Sequence, residues 1–454
     1  MNFQSHRSAL IRGRRSLLAV AVALLASGPD AHAAASSPEP LTPATLQRWV
    51  ATMATNHPSL KAAAARSLAA RLNAEGARRI ADPQVQFAGT VYSPKGMEAY
   101  QQGNLLYGVE QPLPLLGKEQ AGRTVALRGA DLEEVRADIR FQDLQRDLTI
   151  ALFEAALARR AVELAEADQT WMTDLIRNLE AQLASGTVSP VAVLRAQTEL
   201  ARRRFEVESL RSHEAEALAG VNRRLGQDPD APLPGFDLPP PAPALQVGEP
   251  LMARALETAP RRRLLEAERK EAGAVVEATR RSGRPDIALG VQGMQYTGDG
   301  DFRSGTFGVL VNLPLWNRSN YRKDLARDRQ RLKSVEEDQV DAALTVREEL
   351  RRLGLQIATA RRGTELYTHD VLPKAEDARQ TALAQWTAGN GNIRDVMDSH
   401  RVLLEAKAQL ARATADQWTL IAELTFLCGL PGPEVLTSTP PSSSVPATPS
   451  AAKP

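Results

Sequence analysis

The sequence is poor in cysteine and aromatic residues, and it has almost no excess of charge of either sign. Cys428 is the single cysteine among 454 residues, so no disulfide can form within the chain. The net charge of +2 is too small to indicate a nucleic-acid-binding protein, which typically carries a clear basic excess. Only 4% of the residues are aromatic, while Ala, Leu, Glu and Arg are abundant; this composition favours long packed helices.

Catalytic and metal-binding motifs are also missing from the sequence. There is no GxSxG, P-loop or HExxH motif and no pair of cysteines spaced for a metal ion. Histidine and methionine number only six and seven, and the acidic neighbours of His213 and His369 are typical of solvated helix faces. The sequence therefore predicts no enzyme, no cofactor and no metal site.

The sequence has no apolar run long enough for a transmembrane helix. The segment from Leu17 to Ala26 has about ten apolar residues, whereas a bilayer needs about 20. It follows four arginines and precedes the small-x-small triplet Ala31-His32-Ala33, so we predict a signal peptide at residues 1–33. This segment carries a net charge of +3, so the rest of the chain carries −1. Any membrane part of that remainder would have to consist of β-strands.

The chain repeats itself at an offset of about 200 residues. Five matching segments occur in the same order in both halves: Pro58 and Pro260, Asp82-Pro83 and Arg284-Pro285, Gln111–Leu115 and Val311–Leu315, Ala184–Gly186 and Thr387–Gly389, Leu225-Gly226 and Cys428-Gly429. We predict two equivalent halves, 34–228 and 251–432. A proline-rich connector at 229–250 joins them, and a disordered tail rich in Ser, Thr and Pro follows at 433–454.

Each half contains a predicted β-hairpin in which apolar and polar residues alternate. Val85, Phe87 and Val91 alternate with polar residues in the first half, as Phe307 and Val309 do in the second. A half-buried sheet of a soluble protein gives the same pattern. In a membrane, however, a closed barrel needs at least about eight strands, and two hairpins supply only four. A membrane interpretation therefore requires several copies of the chain.

The helices predicted after each hairpin are unusually long. The segment from Glu119 to Leu183 contains no proline, and its leucines follow a four- and seven-residue rhythm typical of coiled coils. A second helix from about Pro190 to Leu225 folds back on it after a turn at residues 185–187. Helices over Glu336–Leu383, with an interruption near Pro373, and over Ile393–Leu427 repeat the arrangement. A solitary coiled-coil scaffold is the alternative, although a scaffold does not need the hairpins.

The duplicated plan and three local motifs resemble the TolC family of outer-membrane efflux proteins. Residues 108–118, GVEQPLPLLGK, and 308–318, GVLVNLPLWNR, are similar to the strand-to-helix junctions of members that serve heavy-metal exporters. Residues 386–389 and 395–398 are similar to a helical-hairpin tip of that family. The resemblance implies a mainly α fold with β-barrel strands, in which a homotrimer forms an α-barrel tunnel and a twelve-stranded transmembrane β-barrel.

The resemblance also implies partners and a location. The channel would lie in outer-membrane lipid and reach far into the periplasm. There it would meet a periplasmic adaptor protein and an inner-membrane pump, of the RND type, that delivers heavy-metal cations. Drug efflux, type I protein secretion and a periplasmic coiled-coil adaptor are the alternative interpretations.

Several residues take functional roles through this resemblance. Asp395 and Asp398 would line a periplasmic gate, where the three copies would form two rings of carboxylates that attract cations. The alternative is a pair of exposed acids at a helix start. The other assigned positions are the adaptor-docking tips and the strand–helix junctions: Gly186, Thr187, Gly389 and Asn390 at the tips, Pro114 and Pro314 at the junctions.

The tips also depart from the family pattern. Val191, Ala192, Trp386 and Gly391 stand where polar side chains hold the closed state in the best-known member. None of the four can form those links through a side-chain pair. A closed state of this chain would need another contact, such as packing of Trp386 or pairing of Arg394 with an acid.

Overall fold

The computed structural model describes residues 38–77, 80–91, 103–186, 188–245, 247–296, 300–314, 316–430 and 432. The predicted signal peptide, the predicted tail at 433–454 and the tip residue Thr187 lie outside these residues.

Both halves of the chain contain the predicted order of helix, hairpin, long helix and second helix. The first half comprises β1 (Glu39–Pro40), α1 (Pro43–Asn56), α2 (Pro58–Gly76), β2 (Gln84–Val91), β3 (Gly103–Leu113), α3 (Lys118–Ala184) and α4 (Pro190–Leu225). Strand β4 (Phe236–Asp237) lies between the halves, and the second half comprises α5 (Glu249–Thr258), α6 (Pro260–Ser282), β5 (Asp286–Tyr296), β6 (Phe302–Asn312), α7 (Arg318–Leu366), a π-helical segment (Tyr367–Val371), α8 (Leu372–Thr387) and α9 (Ile393–Leu427).

Helix α3 is the longest element and confirms the helix predicted over 119–183. It has 67 residues, which corresponds to about 100 Å at 1.5 Å per residue. It begins after Gly117 and ends just before Gly186, both of which adopt positive φ. Helix α4 then starts at once, because Ser189 caps it through the backbone N–H of Val191 and Pro190 occupies the first turn.

The predicted interruption near Pro373 is also present. The π-helical segment Tyr367–Val371 ends immediately before α8, whose second residue is Pro373. Because proline lacks an N–H and crowds the preceding turn, a local widening of the helix accommodates it. The predicted start at Glu336 was wrong, since α7 begins at Arg318. Between 318 and 335 this helix buries Asp328 and no apolar residue, so it lacks the apolar rhythm on which the prediction depended.

The four long strands form one antiparallel sheet in the order β2-β3-β5-β6. The two halves of the chain meet in it through β3 and β5, which pair from Asn104 with Tyr296 to Leu113 with Ile287. Strands β1 and β4 form a separate two-stranded parallel pair.

The helices pack on both sides of α3. Near the sheet the neighbours follow the order α2, α3, α6, α7, and further along they follow α4, α3, α9 and then α7 or α8. One apolar cluster surrounds Phe153 and Phe236, a second surrounds Leu350 and Ile421, and a third fills the hairpin ends around Leu179. None of the described helices is long and apolar enough to cross a membrane.

The proline-rich segment between the halves is held by buried polar contacts. Gln417, which is fully buried, accepts a hydrogen bond from the Ala242 backbone N–H and donates one to its carbonyl oxygen, each at 3.1 Å. The Trp418 indole donates to the Pro240 carbonyl oxygen. These contacts satisfy backbone groups of a segment that belongs to neither a long helix nor the large sheet.

Candidate functional site

One face of the sheet is apolar and exposed. The register places Val85, Val109, Val291 and Phe307 side by side across all four strands. Their exposed fractions are 62%, 47%, 58% and 69%. Phe87, Tyr107, Val309 and Val311 extend the same face. An apolar surface of this extent on a monomer indicates contact with lipid or protein.

The opposite face is polar in its central rows, whereas Leu106 and Leu310 lie on it nearer the ends of the strands. Gln86, Gly108, Gln292 and Thr306 form one row across the strands, and the Gln292 side-chain amide donates to Gln86 Oε1 at 3.1 Å. Glu110 lies on this face one row away, beside Gly290 and Gly308. The predicted two-faced alternation is therefore present, and it extends across both hairpins as one continuous surface.

Both edges of the sheet are open within the described part of the chain. There, β2 pairs only with β3, and β6 pairs only with β5. Each outer strand therefore has a row of backbone donors and acceptors available to another strand.

The predicted junction prolines lie where strands give way to helices. Strand β3 ends one residue before Pro114, and β6 ends two residues before Pro314. The two halves are joined at this level, because Lys118 Nζ lies 2.7 Å from Asp286 Oδ1. The guanidiniums of Arg281 and Arg284 donate to the carbonyl oxygens of Gly117 and Leu116.

The predicted tip glycines form the turns between antiparallel helices. Gly186 and Gly389 have φ of 76° and 78°, a conformation that L side chains rarely adopt. Asn390 N–H donates to the Gln385 carbonyl oxygen and so closes the end of α8. Gly391 has no room for a side chain, because a Cβ atom there would lie 2.7 Å from the Trp386 backbone nitrogen.

Asp395 and Asp398 lie in the first two turns of α9, next to the second tip. Asn392 caps this helix by accepting from the Arg394 N–H, and both aspartates are exposed. Their spacing of three residues places them on one face of the helix. Among the residues described, neither aspartate forms an ion pair, and no ion pair joins Arg394 to Asp398.

The comparison with known proteins identifies the family. Residues 49–227 and 251–430, most of the chain, match the family described as outer membrane efflux protein. The chain belongs to the outer membrane efflux protein family. The resemblance inferred from the sequence is therefore confirmed: the protein is an outer-membrane efflux channel subunit with a long helical portion in the periplasm.

Individual relatives agree with this membership. The chain is 25% identical over 305 residues to the cobalt-zinc-cadmium resistance protein CzcC of Cupriavidus metallidurans, an alignment that covers 65% of this chain and 70% of that protein. The outer-membrane channel OprN superposes with a TM-score of 0.72 at 18% identity, covering 85% of this chain and 90% of that chain. VceC of Vibrio cholerae gives 0.70 at 18% identity, covering 85% and 96%, and CusC gives 0.71 at 15%, covering 85% and 92%.

Trp386 of this efflux protein packs at the periplasmic hairpin ends. It lies against the apolar cluster built by Met172, Leu175 and Leu179 of α3 and by Val193 of α4. Ile393 and Met397, on the first turns of α9, contact the same cluster. Both hairpins thus share one small core beside the two aspartates.

A buried polar cluster that was not predicted from the sequence lies about one helical turn from this core, on the side away from the tips. His400 Nε2 of α9 lies 3.0 Å from Asp168 Oδ1 of α3, and Arg203 Nε of α4 lies 2.9 Å from Asp168 Oδ2. The Trp171 ring stacks on the imidazole with centroids 3.5 Å apart. Asp168 and His400 are 4% and 8% exposed, so two ionisable side chains of the efflux protein are buried together.

One feature of the sequence could have indicated the Asp168–His400 cluster. Val396, His400 and Leu403 are spaced four and three residues apart, so the histidine occupies an apolar stripe of α9. A polar residue in such a stripe needs a partner. The partner itself was not predictable, because Asp168 is 232 residues away in the chain.

Cys428 is fully buried at the end of α9. Desolvation raises the pKa of its thiol to about 11. The thiol therefore stays protonated and unreactive near neutral pH.

Proposed function

We propose that three copies of this efflux protein form a closed channel that serves a tripartite system exporting heavy-metal cations. An inner-membrane pump, of the RND type, spends the energy and delivers the cation through a periplasmic adaptor, while the channel itself is a passive conduit. The observation that carries this proposal is the sheet with one apolar face, one polar face and two open edges. Only closure with further copies pairs such edges in a membrane.

The helices support association in a ring, because apolar side chains line both outer edges of the helical layer. On one edge Leu68 and Leu72 of α2 are each 57% exposed, and Phe205 of α4 is 77% exposed. On the other edge Leu344 and Leu355 of α7 are 58% and 64% exposed. An edge of one copy can bury these side chains against the opposite edge of the next copy. Such a head-to-tail contact closes into a ring when the rotation between successive copies adds up to a full turn.

Three copies would supply twelve strands, enough for a closed transmembrane barrel. The polar face with Gln86, Gln292 and Thr306 would line its lumen, and the apolar face with Phe87 and Phe307 would contact lipid. Pro114 and Pro314 would end the strand ladders where the barrel gives way to the helical tunnel.

The periplasmic end carries the proposed gate. In a ring of three, Asp395 and Asp398 would form two layers of three carboxylates, which attract cations. Such a gate suits a metal cation as cargo, and similarity to CzcC, named a cobalt-zinc-cadmium resistance protein, points the same way. The glycine turns at Gly186 and Gly389, with Thr187 and Asn390, form the ends on which the adaptor would dock.

Assembly is tested by light scattering on the protein extracted from outer membranes, followed by recording in planar bilayers. We expect a trimer that forms discrete conductance steps. A monomer without conductance would remove the closed-channel proposal.

The gate is tested by replacing both aspartates, Asp395→Asn and Asp398→Asn. We expect higher resting conductance and weaker preference for cations over anions in a salt gradient. The matched control is Asp338→Asn with Asp341→Asn, an exposed pair with the same spacing on α7. Equal behaviour of the two double variants would rule out the gate assignment.

The cargo is tested in cells that lack the chain but keep its pump and adaptor. We expect lower tolerance of zinc, cobalt and cadmium, or of copper and silver, with recovery on re-expression. Unchanged metal tolerance together with lower drug tolerance, or with loss of a secreted protein, would favour drug efflux or protein secretion instead.

A further inference from the structure

The turn between β6 and α7 carries the most exposed large apolar side chain in the described part of the chain. Trp316 is 91% exposed, although tryptophan usually buries its ring. The equivalent turn between β3 and α3 carries Leu115, which is 63% exposed. Both turns lie at the same end of the sheet, because Leu113, Ile287 and Val311 form one row across it.

Three exposed cations follow Trp316 within seven residues. Arg318 and Arg322 lie four residues apart on one face of α7, and Lys323 is next to the second. Within the described residues none of the three forms an ion pair, whereas Arg327 one turn later pairs with Asp324 and Asp328. The first-half junction differs, since Lys118 is paired with Asp286.

This position lies between two different environments. On one side is the apolar face of the sheet, and on the other are long helices with charged surfaces. Indole rings favour the boundary of a bilayer, where an apolar ring and a polar N–H are both satisfied. Unpaired lysine and arginine beside such a ring match the phosphate groups of anionic lipids.

We propose that Trp316, Arg318, Arg322 and Lys323 form a binding surface for anionic phospholipid headgroups in the periplasmic leaflet of the outer membrane. The inference rests on the proposed function, because it requires the apolar face of the sheet to lie in lipid. Continuity with that face and the unpaired positive charge favour lipid over a second copy as the occupant.

The test uses tryptophan fluorescence of the full channel in phosphatidylcholine vesicles that contain an equal share of phosphatidylglycerol. Of the five tryptophans, Trp49, Trp171, Trp386 and Trp418 lie on α1, α3, α8 and α9, so quenching by brominated lipid should report on Trp316. We expect brominated phosphatidylglycerol to quench more strongly than brominated phosphatidylcholine. The Trp316→Phe variant should lose the quenching.

Charge variants test which groups select the lipid. The triple change Arg318→Gln, Arg322→Gln and Lys323→Gln should abolish the preference for phosphatidylglycerol and leave quenching by phosphatidylcholine in place. The matched control changes three exposed arginines further along α7, Arg347, Arg351 and Arg352, about 40 Å away at 1.5 Å per residue. This control should keep the preference.

The outcomes separate the inference from the channel proposal. Conductance with no quenching of Trp316 would place the ring outside the lipid and overturn the lipid assignment, while the channel would stand. Conductance with equal quenching by both lipids would overturn the headgroup selection. Absence of both conductance and quenching would mean that the sheet does not enter lipid, and the two proposals would fail together.

Discussion

At the scale of single residues, two aspartates, Asp168 and Asp328, are buried within the helical bundle. Asp168 is enclosed by residues of three helices, and Asp328 is 1% exposed between α6 and α7. Thr279 donates to Asp328 at 2.7 Å, and the guanidinium of Arg327 holds the pKa of Asp328 below its ordinary value. Each carboxylate is satisfied by several donors, so its removal leaves buried partners without an acceptor.

Asp168→Asn should destabilise the protein by about 1–3 kcal/mol, because Arg203 and His400 lose their shared anion. This loss of unfolding free energy is at the lower end of the range for breaking a buried ion pair, because the Arg203 side chain is still 26% exposed. The measurement is the thermal unfolding midpoint at fixed protein concentration.

The control for this change is Asp174→Asn on the same helix. Asp174 pairs with Arg177 at the surface, and loss of an exposed pair costs less than about 1 kcal/mol. Equal midpoints for the two variants would contradict a structural role for the buried cluster.

Glu266 makes stability depend on pH in a defined window. The Arg269 guanidinium, with help from Gln339 and Lys270, lowers the pKa of Glu266 from 4.5 to about 2. A lowered pKa in the folded state stabilises the fold above pH 4.5, and the contribution is lost as the pH falls towards 2. Because the Glu266 side chain is 41% exposed, solvent screening keeps the effect small.

The Glu266→Gln variant checks this. The difference in unfolding midpoint between the parent and the variant should be constant above pH 4.5 and shrink below it. A difference that does not change across that window would show that the ion pair makes no pH-dependent contribution.

At the scale of elements, the sequence predicted what local periodicity determines. The alternation around Val85 and Phe307 predicted both hairpins, and the heptad rhythm with its absence of proline predicted α3 almost to the residue. The start of α7 was missed because its first five turns bury Asp328 rather than leucines. The two halves are joined by the pairing of β3 with β5 and by the contact of Asp168 with His400. Periodicity within one segment holds no information about which distant segment will contact it.

Tip shape depends on Gly391. Gly391→Ala should force the loop between α8 and α9 to move, because its Cβ would meet the backbone of Trp386 and Gln385 within 2.9 Å. We expect faster amide hydrogen exchange over the second tip and weaker adaptor binding. Gly122→Ala on α3 is the control, because an added Cβ there would have no neighbouring atom within 4 Å. This change should stabilise the helix by about 0.5–1 kcal/mol. Unchanged exchange at the tip in Gly391→Ala would contradict the steric argument.

At the scale of the whole molecule, the proposed trimer depends on the exposed edges of the helical layer. Leu72→Glu and Leu344→Glu each place a charge on one outer edge of the helical layer, and either change should shift the population from trimer towards monomer in light scattering. Leu127→Glu is the control, because Leu127 is 43% exposed on the central helix α3 and not on an edge helix. Dissociation by Leu127→Glu alone would place the contact between copies elsewhere.

The duplication has a consequence for symmetry. The β3–β5 pairing inside one chain joins two similar halves, as the β6–β2 pairing would join neighbouring chains, so a ring of three copies is also a ring of six half-chains. The six periplasmic tips of that ring are of two alternating kinds. One kind exposes Val191 and Leu194, and the other exposes Asp395 and Asp398. A partner that binds around the rim therefore meets six positions in space but only three chemically identical ones, and it must either repeat threefold or tolerate two different surfaces.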